Sequence, residues 1–235
     1  MSHAYAEWVA ERDRAVWSAY GIASLAATHW LTDAEAAFPD VAGRWRADGG
    51  AVVGRQLPGG DVVLAPGEAI DIDALRLRAF ARDGALAVRV LDPRAAERRG
   101  IRAIERFAYD PELRVPGRFH PAAQTIARMS VDHHASATVF DGIVSFTLQG
   151  QEVRLIVEED DGVLFAVFAD ATAGSESYPF RFVRMSAPDP GDEVVIDLNL
   201  AFLPPCAFSD HYVCVLPPPG NRLSVPVRAG ERGVR

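Results

Sequence analysis

The 235 residues are 49% hydrophobic and 24% charged, with a formal net charge of −8. A chain of this length can bury about three quarters of its unfolded surface, enough for one large domain, and its acidic balance disfavours bulk attraction to nucleic acid or an anionic membrane. All 24 basic residues are arginine, which excludes a Schiff-base lysine and the phosphate-binding lysines of Walker-type and kinase-type sites.

The first residues lack a basic flank followed by an apolar core, and no stretch approaches the roughly 20 apolar residues that a membrane span needs. The expectation is a cytoplasmic protein with no membrane or nucleic-acid partner. In that compartment Cys206 and Cys214 are expected as reduced thiols, with a local disulfide as the alternative.

Tyr5, Trp8, Val9, Val16, Ala19 and Tyr20 fall on a helical period, which predicts an amphipathic N-terminal helix ending near Gly21. Thr32 followed by Glu35 reads as a capping box for a short helix that Pro39 ends. Residues 1–40 are therefore read as a helical segment.

From residue 43 onward the pattern changes to short strands. Leu75, Leu77, Ala79 and Ala81 alternate with Arg76, Arg78, Phe80 and Arg82, and Asp83-Gly84 turns the chain into Leu86, Val88 and Val90. Asp-Gly suits the positive φ angles of a type I′ turn, so this is a hairpin. Asp141-Gly142, Gln149-Gly150 and Asp161-Gly162 predict further hairpins. The run 163–168, Val-Leu-Phe-Ala-Val-Phe, has no polar face and belongs in a core. With no repeat and no long linker, residues 1–235 are read as a single domain with a β-rich body over 43–235. Its class is mainly β: an antiparallel barrel-like or sandwich domain with an N-terminal helix packed on it and a proline-rich C-terminal segment closing one side.

That segment, within 197–231, holds both cysteines, and five prolines in 197–223, at 204, 205, 217, 218 and 219, bar a regular helix or central strand from that stretch. It also carries a resemblance. The stretches Asp170-Ala-Thr172-Ala-Gly174 leading to Tyr178 and Arg181, Asp197-Leu-Asn199 through Pro204-Pro205-Cys206-Ala-Phe208, Cys214 through Pro217-Pro218-Pro219-Gly-Asn221-Arg222-Leu223, and Ala229-Gly230-Glu231 are similar to blocks of a bacterial family known as domain of unknown function 1684. Leu200 stands where that family usually has arginine, and Leu203 where it usually has asparagine. The resemblance implies where a site would lie rather than an activity.

Cys206, His211 and Cys214 suggest zinc, yet three ligands do not close a structural site and the cysteine interval is not that of a zinc knuckle, so no metal and no cofactor are expected. Cys206 as a nucleophile would need His211 or His133 within hydrogen-bonding reach. His133-His134 are adjacent and diverge on any regular element, while His29 and His120 have turn or core readings. Arg76, Arg78, Arg82 and Arg89 read as a solvated basic face.

The stronger constellation is polar: Asp170, Thr172, Tyr178, Arg181, Asp197, Asn199, Asn221 and Arg222. Arg181 and Arg222 could clamp a carboxylate or phosphate while Asp197, Asn199, Asn221 and Tyr178 orient it. The expected function is then the binding of a small anionic metabolite, with or without catalysis. The rival is a non-catalytic structural or interaction module in which the same residues only brace irregular backbone. A shared accessible cavity would favour the first reading, and mutual burial and satisfaction the second.

Overall fold

In a computed structural model of the chain, residues 3–188 and 193–235 are described. The N-terminal helix α1 runs from His3 to Trp17, and a turn through Gly21 follows it. Beyond it the chain forms two compact units, and α1 begins in one and ends in the other.

The smaller unit, Arg12–Ile101 with Phe208–Tyr212, contains β1 (Leu25–Trp30), β2 (Ala36–Phe38), β3 (Val41–Asp48), β4 (Ala51–Arg55), β5 (Val62–Leu64), β6 (Ala69–Ile72), β7 (Leu75–Arg82) and β8 (Ala85–Leu91). They form two antiparallel sheets, β1-β8-β7-β6 and β2-β3-β4-β5. Both contribute to one core around the fully buried Trp45, with Leu77, Val88 and Val90 from one sheet and Val52 and Leu64 from the other. This is a sandwich. The expected hairpin at Asp83-Gly84 is present, with φ of 50° and 82° at the two turn residues.

The short helix expected before Pro39 is absent. Residues 36–38 instead pair with β3 as a hairpin. Glu35, the expected reciprocal cap, is drawn to Arg44 and Arg55, and Phe38 stacks on His29 with ring centroids 4.1 Å apart. These cross-strand partners outweigh a one-turn helix, which nucleates poorly alone. The arginines of the β7–β8 hairpin are more engaged than a solvated face implies. Arg76 makes a bidentate pair with Asp71, and the Arg89 guanidinium lies 3.4 Å from the Phe80 ring centroid. Only Arg78 of the four is exposed.

A short helix α2 (Ala95–Arg98) precedes the larger unit, which comprises the first turns of α1 with Arg102–Ala207 and Val213–Arg235. Its strands are β9 (Ile104–Arg106), β10 (Arg114–Met129), β11 (Ala135–Leu148), β12 (Gln151–Asp160), β13 (Val163–Phe168), β14 (Arg181–Ser186), β15 (Glu193–Asp197) and β16 (Glu231–Val234). Six of them form an antiparallel sheet in the order β14-β13-β12-β11-β10-β15, which curls into a nearly closed barrel, while β16 pairs with β9. The barrel core holds Val144, Leu155, Leu164, Phe168, Val183 and Ile196.

Gln149-Gly150 and Asp161-Gly162 are hairpin turns with positive φ at all four residues. Asp141-Gly142 is not a turn. β11 runs straight through it, because Gly142 pairs with Pro121 on one side and Val157 on the other. What a glycine supplies there is space, since a Cβ would stand 2.5 Å from the Phe119 ring and from the His120 carbonyl oxygen.

The neighbours of β10 and β11 end early. β15 pairs only with residues 114–118 of β10, and β12 only with residues 142–148 of β11, so the two long strands continue beyond the sheet as a two-stranded ribbon. In the larger unit α1 contributes Tyr5, buried against Tyr109 at 4.9 Å and stacked on the half-buried Trp8 at 6.1 Å.

Candidate functional site

The expected polar constellation is distributed over four sets of partners within the larger unit. The first centres on Arg181, the opening residue of β14, which is 1% exposed. Its Nη2 donates to Asp170 Oδ2 and to the Val227 carbonyl, both at 2.7 Å, and its Nη1 donates to the carbonyls of Ala229 and Glu231. Nε has no protein partner among the described residues, and the rings of Phe168 and Phe107 lie within 6 Å of the guanidinium carbon, at 5.4 and 5.8 Å.

Asp170 is equally occupied. Its Oδ1 accepts from Thr172 N–H (2.9 Å), Thr172 Oγ1 (2.7 Å) and Val227 N–H (3.0 Å). Burial by itself would raise this carboxyl, but the Arg181 guanidinium and the converging N–H and O–H donors outweigh it and hold the group below its ordinary range. The Thr172 hydroxyl also meets Ser177 Oγ at 2.8 Å. The motif Asp170-Ala-Thr172 and Arg181 thereby tie residues 227–231 to the barrel.

The second set is at the end of β15. Asp197 Oδ1 accepts from Asn199 N–H at 3.0 Å, capping a single 3-10 turn over Leu198–Leu200. The fully buried Asn199 side chain then pairs with the backbone of Asp110 as one peptide pairs with another, donating to its carbonyl at 2.8 Å and accepting from its N–H at 2.9 Å.

The third set belongs to Asn221, also fully buried. The ladder between β12 and β13 pairs Glu158 with Phe165 and stops there. At the step where Ile156 and Val167 would follow, the Asn221 amide is inserted instead. It accepts from Ile156 N–H at 2.7 Å and donates to the carbonyls of Ile156 (2.8 Å) and Val167 (2.9 Å). The prolines on either side cannot supply such donors, so a side chain does.

The fourth set joins Tyr178 to the thiols. The Tyr178 hydroxyl donates to Cys206 Sγ at 3.6 Å, and the Cys206 N–H donates to Cys214 Sγ at 3.3 Å. No disulfide joins the two sulfurs. Arg222 stands apart on the surface, continuing a short parallel bridge from Ala169.

Sequence reasoning missed Glu231 as an individual residue, although its Ala-Gly-Glu motif was visible. Its side chain is fully buried, accepts Leu203 N–H at 2.8 Å, and faces Arg106 at 3.4 Å. Gly230 allows that approach. Its φ is 72° and a Cβ there would lie 2.3 Å from the Ala201 carbonyl oxygen. The signal was one of only two acidic residues after Asp197, standing next to a glycine.

Clefts on the larger unit, among the described residues, include two of note. One of about 530 Å³ is bordered by Asp110, Glu112, Leu113, Leu148, Pro226 and Arg228, and another of about 400 Å³ by Arg118, Glu152 and Glu193 among others. Neither is lined by Arg181, Arg222, Asp197, Asn199, Tyr178 or Asn221. In the larger cleft the Arg228 guanidinium is already held by both oxygens of Glu176 at 2.7 Å, so what it offers a ligand is carboxylate more than free cation.

Among the described residues no three His, Cys, Asp or Glu side chains converge as metal ligands. His211 belongs to the smaller unit, where burial and then the Arg99 guanidinium lower its pKa. His133 adopts φ of 62° in the turn at the ribbon tip, and His120 hydrogen-bonds Ser145 Oγ at 2.8 Å. No helix among the described residues is long and apolar enough to cross a membrane.

The fold and these tie points describe a mainly β, antiparallel protein whose C-terminal segment is pinned to a barrel by buried polar side chains. Residues 99–232 match the family described as protein of unknown function (DUF1684), and the chain belongs to that family. The solution NMR structure of an uncharacterised protein from Haloarcula marismortui is 32% identical, with 58% of this chain and 79% of that one covered and a TM-score of 0.47. No curated protein matches the chain.

Proposed function

We propose that the chain is a non-catalytic interaction module and that its buried polar residues brace the C-terminal segment instead of holding a metabolite. The observation that carries this reading is Arg181: at 1% exposure, both its terminal nitrogens are taken by Asp170 and three backbone carbonyls. A guanidinium so occupied has no fork to offer an incoming carboxylate or phosphate. Asn199 and Asn221 are likewise spent on backbone groups.

The face assigned to the interaction is the outer side of the β10–β11 ribbon. Three cross-strand pairs lie on it, Thr125 with Val139, Ala127 with Ala137 and Met129 with Ala135, and all six residues are exposed. Val139 is 59% and Met129 43% exposed. None of the six is charged, although a quarter of the chain is. The occupant is a second copy of the chain: two molecules of net charge −8 would bring like charges together over most of their surfaces, and this uncharged patch keeps such close pairs out of the contact. Along residues 135–141 no further strand covers the outer edge of β11 among the described residues, so its backbone groups are open to antiparallel pairing.

Two measurements test the reading. Thermal-shift screening of carboxylic acids and phosphates leaves the melting temperature unchanged. A stabiliser whose effect disappears in Arg222→Ala, with that variant folded, overturns the brace in favour of an anion site. Sedimentation of the wild type across a concentration series shows self-association, and Val139→Asp removes it. A wild type that remains monomeric throughout overturns the choice of partner.

A further inference from the structure

Cys206 and Cys214 stand outside the partners of Arg181, Asp170, Asn199 and Asn221, and their geometry is specific. They are eight residues apart, and the Cys214 sulfur lies 3.3 Å from the Cys206 amide nitrogen. One N–Cα bond of about 1.5 Å separates that nitrogen from the Cys206 Cα, so the Cys214 sulfur stands within about 4.8 Å of it. In a disulfide that Cα and the facing sulfur are linked through the Cys206 Cβ and Sγ alone, so the Cys214 sulfur already stands close to the reach of the bond, and side-chain rotation is the main movement that closing it asks for. Pro204 and Pro205 precede one cysteine and Pro217 follows the other closely, which restricts the backbone on both sides.

We propose that the two cysteines are a redox-reversible pair that a hydroperoxide converts to an intramolecular disulfide. Their unequal exposure gives the order. Cys214 is half-buried and Cys206 is 7% exposed, so Cys214 meets the oxidant. Its thiolate attacks one peroxide oxygen, the O–O bond breaks, and the sulfur becomes a sulfenic acid while hydroxide leaves and is protonated to water. The Cys206 thiolate then attacks the Cys214 sulfur, forming the S–S bond and expelling a second hydroxide, which leaves as water with the proton lost from Cys206. Two thiols and one hydrogen peroxide give one disulfide and two waters, the two electrons passing from sulfur to peroxide.

The bridge would act on the ribbon tip. The Cys214 carbonyl accepts the Val131 N–H at 2.9 Å, and Leu216 N–H donates to the Met129 carbonyl at 2.8 Å, so residues 214–216 form a third strand-like piece beside the tip. Oxidation joins that piece covalently to Cys206 and its turn. The proposal stands independently of the self-association reading.

Hydrogen peroxide is added to the purified, reduced full-length protein, and thiols are titrated while intact mass and peptide maps are recorded. Both thiols are expected to disappear together, the mass to fall by two hydrogens, one peptide pair to become cross-linked through Cys206 and Cys214, and dithiothreitol to restore the starting state. In Cys206→Ser the remaining Cys214 stops at a sulfenic acid that dimedone traps, whereas in Cys214→Ser the buried Cys206 still titrates after the same exposure. If a variant fails to fold, the wild-type peptide map decides alone. Two thiols that still titrate, a mass that only gains oxygen, or cross-links only between molecules would each overturn the proposal.

Discussion

The two units bury different chemistry. In the smaller one the buried polar residues among those described are two serines, Ser24 and Ser209, and the core around Trp45 is apolar, whereas the larger one buries Arg128, Asp170, Arg181, Asn199, Asn221 and Glu231. The difference follows from how each satisfies its backbone. Consecutive hairpins in the sandwich pair their own N–H and C=O groups along ladders, so the interior can be purely hydrophobic. The larger unit must also hold most of the irregular, proline-rich stretch from Leu198 to Glu231, all but Phe208–Tyr212, whose backbone lacks such ladders. Side-chain amides, a guanidinium and carboxylates stand in as the missing partners. Arg128 is the exception, paired from β10 with Glu158 on β12; the other buried charges here serve irregular chain and do not mark a ligand.

Each unit has one side chain on which its interior most depends, Arg181 in the larger and Trp45 in the smaller. Arg181→Ala strands the Asp170 carboxylate in the interior and is expected to cost about 3–5 kcal/mol, and Trp45→Ala is expected to cost a similar 3–5 kcal/mol through the cavity it leaves. Hydrogen exchange should place the first loss in residues 168–231 and the second in the sandwich. Acid separates them further. The Asp170 carboxyl is depressed in the folded chain, so its contribution is fully present above the unfolded carboxylate pKa and is lost as pH falls through the lower, folded one. Urea midpoints of the wild type should therefore fall steeply below the ordinary carboxylate range, and Asp170→Asn should flatten that fall. An unchanged acid profile in the variant would remove the ion pair from the account.

A smaller effect is expected from Asn221→Ala, which leaves the Ile156 N–H and the carbonyls of Ile156 and Val167 without their partner. The expected loss is about 2–3 kcal/mol, read as faster exchange at Ile156 and along residues 217–223. Loss confined to the 217–223 loop would mean that the ladder of β12 and β13 does not depend on the inserted amide.

The smallest effects distinguish two glycines that look alike in sequence. Gly142→Ala inserts a Cβ against Phe119 and is expected to cost about 2 kcal/mol by overpacking. Gly84→Ala meets no atom within 4 Å and costs about 1 kcal/mol from its φ of 82° alone. Equal losses in thermal melts would contradict the separate reasons given for them.

Those two glycines also show how much was legible beforehand. Asp-Gly at 83–84 and at 161–162 reports a turn because the local φ preference and the flanking alternation agree. Asp-Gly at 141–142 carries the same local signal, but Gly142 serves the Phe119 ring, more than twenty residues away in sequence. The capping-box pattern at Thr32 and Glu35 failed for the same reason: Glu35 was claimed by Arg44 and Arg55, which a reading of one turn does not see. For the candidate site, the residues Asp170, Arg181, Asp197, Asn199 and Asn221 could be read from the sequence as polar groups of interest. Their division among separate partners was not readable, and neither was the part played by Glu231.

The sequence by itself determined the class of the protein, its N-terminal helix and three of its hairpins, because alternation, helical period and turn φ are properties of neighbouring residues. The stretch 197–223 could be read as irregular in the same way, since its five prolines remove donors wherever the chain leads. Only the tertiary structure decided what those polar residues do. Asn221 finds its partner 65 residues away at Ile156, Asn199 finds Asp110 at 89, and Arg181 finds Val227 at 46. Whether an amide faces solvent, a ligand or a backbone gap depends on which distant strand stops short beside it, and a local pattern holds no record of that.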